Sequence, residues 1–211
     1  MLSIILLRHG KTAGNLENRY NGRTDDPLCE EGVEEALAEE HYPEVSLVYA
    51  SPMRRAQQTA GIFFPNAGIE TVQDLREMDF GDFEGRTATE MENDEAYRAW
   101  VAGGFITPCP NGEGIPDFAR RAATAFAGCV VDAIRRGESR VGFAVHGGVI
   151  MAVMTAFSGA DVSYNAWYVR NCGGYEITID ESDWKQLQQF HGYRLIGEQA
   201  ENNYSLDNNI E

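Results

Sequence analysis

The 211-residue chain has no apolar run near the roughly 20 residues a helix needs to cross a bilayer, which excludes a helical membrane span. Its apolar start, residues 1–7, is short. No basic stretch precedes it and no small-residue cleavage site follows, so it is not read as a secretory signal, and a cytoplasmic protein is expected. Cysteine is sparse: Cys29, Cys109, Cys129 and Cys172 stand far apart with no Cys-x-x-Cys pair. Reduced, packed thiols are expected, with no zinc or other metal site. Positive charge is scarce too. Seventeen Lys and Arg face 33 Asp and Glu, a net charge of −16, which argues against nucleic acid or an anionic membrane as partner. The P-loop G-x-x-x-x-G-K-[ST], the dinucleotide G-x-G-x-x-G and the serine-hydrolase G-x-S-x-G are absent as well.

The acidity also constrains any anionic ligand, which the long-range field repels. Salt limits that field to about 8–10 Å, so a phosphate site here has to be a small, locally basic pocket.

What the sequence does contain is an alternation of strand and helix signals. Residues 4–7 form a continuous apolar run that ends at Arg8-His9-Gly10, as a buried strand would. Residues 30–40 carry Val33, Ala36 and Leu37 at helical spacing on an acidic background. Residues 47–50 read as a strand ending at Ser51-Pro52, and residues 54–63 as a helix stopping before Pro65. Residues 87–101 read as a helix, with Thr87 and Glu90 at capping-box spacing and Tyr97, Trp100 and Val101 as its apolar stripe. The longest helix is expected over 116–135, with Pro116 near its start, Phe118, Ala122, Phe126, Cys129 and Ala133 on one face, and Gly137 beyond its end. Residues 141–145 read as a third strand, ending in His146-Gly147-Gly148. A helix over 149–157 and strands over 175–179 and 187–190 follow. One domain over residues 1–198 is expected, and residues 199–211 read as a poorly ordered acidic tail. His41 and His191 fit no motif and read as ordinary surface or packing residues.

This alternation predicts an α/β fold with a mostly parallel sheet, whose ligands sit beyond the carboxyl ends of the strands. Two of those ends carry a histidine followed by glycine, which lets backbone approach a ligand closely. Arg8 and Arg55 lie near them in the pattern.

The set of motifs resembles the histidine phosphatase superfamily, the phosphoglycerate-mutase-like group. Arg8-His9-Gly10 with Thr12 and Asn15 is similar to its opening motif, and Gly22-Arg23 with Asp26-Pro27-Leu28 and Gly32 to the segment that follows. Ser51-Pro52-Met53-Arg54-Arg55-Ala56 with Thr59-Ala60 resembles the second basic motif, with Arg55 aligned. Leu75-Arg76-Glu77, Phe80-Gly81 and Glu84-Gly85 resemble the acid-donor segment, and His146-Gly147-Gly148 closes the set. The resemblance implies a three-layer α/β/α fold with a helical cap around residues 86–115. It implies His9 as phosphoryl-accepting nucleophile, and Arg8, Arg55 and His146 as donors to the phosphoryl oxygens. Glu77 would be the general acid, and Asn15, Gly22, Arg23 and Gly147 would help bind a small phosphorylated substrate, with no cofactor and no metal. It favours a phosphatase of the α-ribazole or broad-specificity kind, ahead of a mutase or a non-catalytic phosphate sensor.

A neutral imidazole can attack phosphorus and split one hard displacement into two easier ones. Arginine forks suit phosphate oxygens and favour the neutral form of His9. Glu77 would need a raised pKa to begin protonated. Three departures stand out. Lys11 replaces the acid or amide usual after Arg-His-Gly, and either adds positive potential at the pocket mouth or points away into solvent. Cys29 stands at a helix-cap position, where a nearby acid is expected to substitute for so poor a cap. Gly114 replaces a serine.

Overall fold

Strand β1 (Leu2–Arg8) is buried on both faces, and its alternation sorts the core into two halves. Leu2, Ile4 and Leu6 join one apolar cluster, while Ile5 and Leu7 join the other. Side chains of a strand point alternately to opposite faces, so a continuous apolar run needs cover on both. The computed structural model, which describes residues 1–39 and 42–197, supplies that cover as helices.

Six strands form one sheet in the order β3-β2-β4-β1-β5-β6. These are β2 (Leu47–Ala50), β3 (Gly68–Thr71), β4 (Arg140–Val145), β5 (Gly174–Ile179) and β6 (Gly192–Ile196) around the central β1. The β1–β4, β2–β4 and β2–β3 pairs are parallel; β5 runs antiparallel to both β1 and β6. Helix α1 (Ala13–Leu16) is a single turn after β1. Helices α2 (Glu30–Ala38) and α3 (Arg54–Phe63) contribute Ala36, Ala60 and Phe63 to the Ile5–Leu7 side. On the other side lie α5 (Ile115–Arg136) and α6 (Gly147–Phe157), with α4 (Glu95–Ala102) preceding them in the chain and α7 (Glu181–Leu187) following. The expected α/β/α layering with a mostly parallel sheet is present. Among the described residues no helix is long and apolar enough to cross a membrane.

Local chemistry explains most boundaries. Helix α5 has Pro116 in its first turn and ends at Gly137, whose φ of +74° is the left-handed cap favoured by glycine. All five residues of its expected face are buried. Gly142 sits in β4 because Phe64 packs there: a Cβ would stand 3.0 Å from the Phe64 ring and from Val48 Cγ2. At α2 the cap differs from expectation. Cys29 itself accepts the Gly32 amide on Sγ at 3.4 Å, and no acid replaces it.

Two expected elements are corrected. The continuous helix over 87–101 is instead a 3-10 turn, Thr89–Met91, followed by α4. The reciprocal Thr87–Glu90 bonds do form, but they close that turn, while Asp94 accepts the Ala96 and Tyr97 amides and starts the helix proper. The strand expected over 187–190 is the end of α7 and the loop after it; Asp180 caps α7, and the strand β6 begins at Gly192. Strand β3 has no apolar alternation because it is a mostly exposed sheet edge. His191 is exposed, as read, 3.5 Å from Asp183. His41 and the tail 199–211 lie outside the described residues.

Candidate active site

Strand order gathers the motifs. Strands β2, β4 and β1 are adjacent and parallel, so their carboxyl ends share one edge, with Arg8 paired to Val145 and Ala50 to Ala144. The residues just beyond those ends are His9, Ser51 and His146. The His9 amide continues the ladder to the Val145 carbonyl at 2.9 Å.

His9 is almost fully buried, with its ring 5.1 Å from that of His146 in an edge contact. Its Nδ1 lies 2.7 Å from the Gly10 carbonyl oxygen. A carbonyl only accepts, so Nδ1 carries the proton and Nε2 keeps its lone pair. Burial pushes the His9 pKa well below the ordinary histidine value, and the Arg55 and Arg8 charges push it further the same way. The two arginines anticipated from sequence thus act as expected, but burial acts more strongly.

Arg8 donates from Nη1 to the Val169 carbonyl at 2.8 Å, and its guanidinium lies 5.4 Å from the centre of the Tyr168 ring. Its Nε is buried and without a partner among the described residues. Gly147 stands against it: a Cβ there would be 3.5 Å from that Nε. A buried, unsatisfied cationic donor beside a nucleophile suits an anionic oxygen.

Arg55 and His146 differ from the simple picture of free donors. Arg55 is wholly buried in the first turn of α3. It donates from Nη1 to Thr24 O (2.6 Å), from Nη2 to Gly22 O (2.8 Å) and Asn21 O (3.3 Å), and from Nε to His146 Nδ1 (3.3 Å). His146 Nδ1 is therefore an acceptor, and its proton sits on Nε2, directed at Ser51 Oγ 2.7 Å away. Burial, then Arg55, holds His146 neutral. Both its ring nitrogens are engaged by protein groups, so the donor role expected for His146 would require this arrangement to shift.

Glu77 is half-buried against the first turn of α6. Oε2 accepts the Gly148 amide at 3.0 Å and Oε1 the Met78 amide at 3.0 Å. These bonds and the Arg55 and Arg8 charges favour the carboxylate, but burial outweighs them and raises the pKa. Arg121 holds the segment from behind. It donates to the Asp74, Arg76 and Glu77 carbonyls and pairs with Glu113, whose Oε2 accepts the Asp79 amide. Arg121 was not singled out from sequence, because the clamp joins a helix to a loop more than 40 residues away.

The remaining expected residues divide. Asn15 forms a capping box with Thr12: its Oδ1 accepts the Thr12 amide at 3.0 Å. The Gly22 amide is taken by Glu84 and its carbonyl by Arg55, and a Cβ would fall 1.7 Å from Met78 O, so this glycine exists for close packing. The Arg23 side chain is exposed, 3.5 Å from Asp79, and its amide also goes to Glu84. Glu84 is thus the organiser of loop 22–24, accepting from Gly22, Arg23 and Thr24. Lys11 is corrected: its ammonium is bound by Glu31 (2.7 Å) and Glu35 (2.6 Å) on α2, and it extends neither the cationic pocket nor into free solvent. Ser51, the partner of His146, and Thr59, whose Oγ accepts the Gly10 amide, stand in the second basic motif but were given no role from sequence. Among the described residues no group of three or more His, Cys, Asp or Glu is placed to hold a metal ion.

Residues 4–190 match the family described as histidine phosphatase superfamily (branch 1). The chain belongs to the histidine phosphatase superfamily. Within it, the chain is 31% identical over 192 residues to a probable phosphoglycerate mutase of Enterobacter sp., covering 87% of this chain and 88% of the relative. It is 30% identical over 165 residues to a 2,3-bisphosphoglycerate-dependent phosphoglycerate mutase of Allorhizobium ampelinum, covering 72% and 77%. The α-ribazole phosphatase of Shigella flexneri superposes with a TM-score of 0.74 at 25% identity, covering 85% of this chain and 92% of that one. A phosphoglycerate mutase from Bacillus anthracis, at TM-score 0.69 and 23% identity over 83% and 87%, shares the fold. This member of the superfamily therefore stands among proteins named as mutases and as phosphatases.

Proposed function

We propose that the chain hydrolyses small phosphate monoesters through a phosphohistidine on Nε2 of His9. The observation that carries this is the tautomer: the Gly10 carbonyl takes the Nδ1 proton, so the nucleophilic lone pair is set before substrate arrives. Nε2 attacks phosphorus and the ester P–O bond breaks. The departing alkoxide takes the proton of Glu77, whose burial favours the protonated acid. Water then attacks phosphorus, giving a proton to the Glu77 carboxylate as the P–Nε2 bond breaks, and phosphate leaves with neutral His9 restored. Arg8 and Arg55 offset the charge on the equatorial oxygens, the task a metal performs in other phosphoryl-transfer sites.

A mutase is the second reading, and the names of the sequence relatives favour it. Against it stands the distribution of charge. A phosphoglycerate carries a second anionic group that needs its own cation. Yet Lys11, Arg19, Arg86, Arg121 and Arg170 are each held by a carboxylate. A panel of phosphate esters, run with chelator on wild type and His9→Ala, tests the proposal. Phosphate release by wild type, lost in the variant, is expected. Full activity in His9→Ala, or a requirement for a divalent metal, refutes it; phosphate moved between positions of phosphoglycerate without release establishes the mutase.

A further inference from the structure

The loop between the 3-10 turn Tyr164–Trp167 and β5, whose Tyr168 and Val169 meet the Arg8 side chain, also holds the backbone of the nucleophile segment. The Gly173 carbonyl accepts the Arg8 amide at 2.9 Å, and the Cys172 amide donates to the Arg8 carbonyl at 3.1 Å. Cys172 takes a φ of +62°, a left-handed conformation uncommon for a residue with a side chain. Beside it, Asn171 donates from Nδ2 to the His9 carbonyl at 2.8 Å and to Asn15 Oδ1 at 3.4 Å.

The orientation of both amides is fixed by backbone groups that have only one polarity. The His9 carbonyl can only accept, so Asn171 presents its NH2. The Thr12 amide can only donate, so Asn15 presents Oδ1. Asn15 Oδ1 thus collects the Thr12 amide, the Thr12 hydroxyl and Asn171 Nδ2. Its own Nδ2 makes no hydrogen bond among the described residues. We infer that Asn171 is a positioning residue: by occupying the oxygen edge of Asn15, it turns the Asn15 NH2 toward the phosphoryl group, while the same amide anchors the backbone of His9. Without Asn171, the Asn15 side chain retains only the Thr12 contacts. The phosphate then loses a donor already oriented for it.

The inference rests on phosphate binding beside His9, and its test reads binding, not turnover. Inorganic phosphate is titrated calorimetrically into wild type, Asn15→Ala, Asn171→Ala and the double variant, with thermal midpoints measured alongside. Loss of one donor to an anion is expected to weaken phosphate binding about tenfold in each single variant. If Asn171 acts through Asn15, the double variant binds within about twofold of Asn15→Ala. Additive losses, near a hundredfold, or unchanged affinity in Asn171→Ala overturn the inference. Asn171→Asp keeps the shape but removes both donors. It is expected to weaken phosphate at least as much as alanine, and it takes the place of alanine in the cycle if that variant does not fold. Absence of phosphate binding by wild type overturns both this inference and the proposed function. Hydrolysis surviving in His9→Ala overturns the phosphohistidine alone.

Discussion

Replacing Glu77 with glutamine removes the carboxyl proposed to give a proton to a leaving alkoxide. The carboxyl is held at both oxygens by backbone amides 3.0 Å away, so the side chain is already placed and the change falls on proton transfer. Positioned acids contribute about 10²–10⁴ in rate. For an alkyl phosphate, kcat is expected to fall at least a hundredfold, which is about 2.7 kcal/mol of barrier. A nitrophenyl phosphate has a leaving group that departs without a proton, and its first step should slow less than tenfold. The two substrates are compared by single-turnover phosphate release, with pH profiles. Because burial raises the Glu77 pKa, wild-type turnover of alkyl esters falls as pH rises through that value, and the glutamine variant loses this limb. Glutamine also turns an NH2 toward one of the two amides, at a cost of about 1–3 kcal/mol in stability, so urea melts accompany the kinetics. Equal slowing of both esters, with stability unchanged, refutes the role of Glu77 as acid.

Lys11→Ala should leave kcat/KM within about twofold on esters with and without a second anionic group, because Glu31 and Glu35 already neutralise that ammonium; a selective loss on doubly anionic esters reinstates Lys11 as a substrate contact. Arg121→Met, which cuts the clamp on Asp74, Arg76, Glu77 and Glu113, is expected to cost about 2–3 kcal/mol in urea unfolding and to lower kcat with alkyl esters; an unchanged midpoint contradicts the clamp. His9 and His146 are buried neutral with depressed pKa values, so the stability they contribute is present above about pH 6.5 and is lost as pH falls through their folded values. His146→Gln should therefore flatten the decline in unfolding free energy between pH 7 and 5, and an unaltered slope counts against a neutral, buried His146. Ser51→Ala strands the His146 Nε2 proton and is expected to destabilise by about 1–3 kcal/mol; a neutral outcome means the proton has another acceptor.

The central strands and the helices beside them were legible because burial on both faces writes itself as short apolar runs, and burial on one face as a 3.6-residue stripe. Residues 4–7, 47–50 and 141–145 and the stripe of α5 follow that rule. Strand β3 and strand β6 are less buried, and their residues alternate too little to be recognised. The helix expected from residue 87 failed for a related reason: Thr87 and Glu90 do exchange their bonds, but a stronger cap at Asp94 decides where the helix begins. In the site, residue types were legible and commitments were not. Lys11 and Arg8 look alike as cations in sequence. One is bound to two carboxylates on α2, whereas the other keeps a buried Nε unsatisfied beside Gly147.

The sequence by itself determined that histidines and arginines stand at the ends of buried strands, with an acid in a motif of its own, in a chain too acidic to bind phosphate anywhere but in a small pocket. These are properties of residues a few positions apart, set by periodicity and local caps. Only the tertiary structure decided which nitrogen of His146 holds the proton, how Arg55 spends its donors, and that burial raises the pKa of Glu77. Those depend on partners such as Ser51 and His146, 95 residues apart, or Glu77 and Gly148, 71 apart. The order of strands in the sheet brings such pairs together, and no local pattern records it.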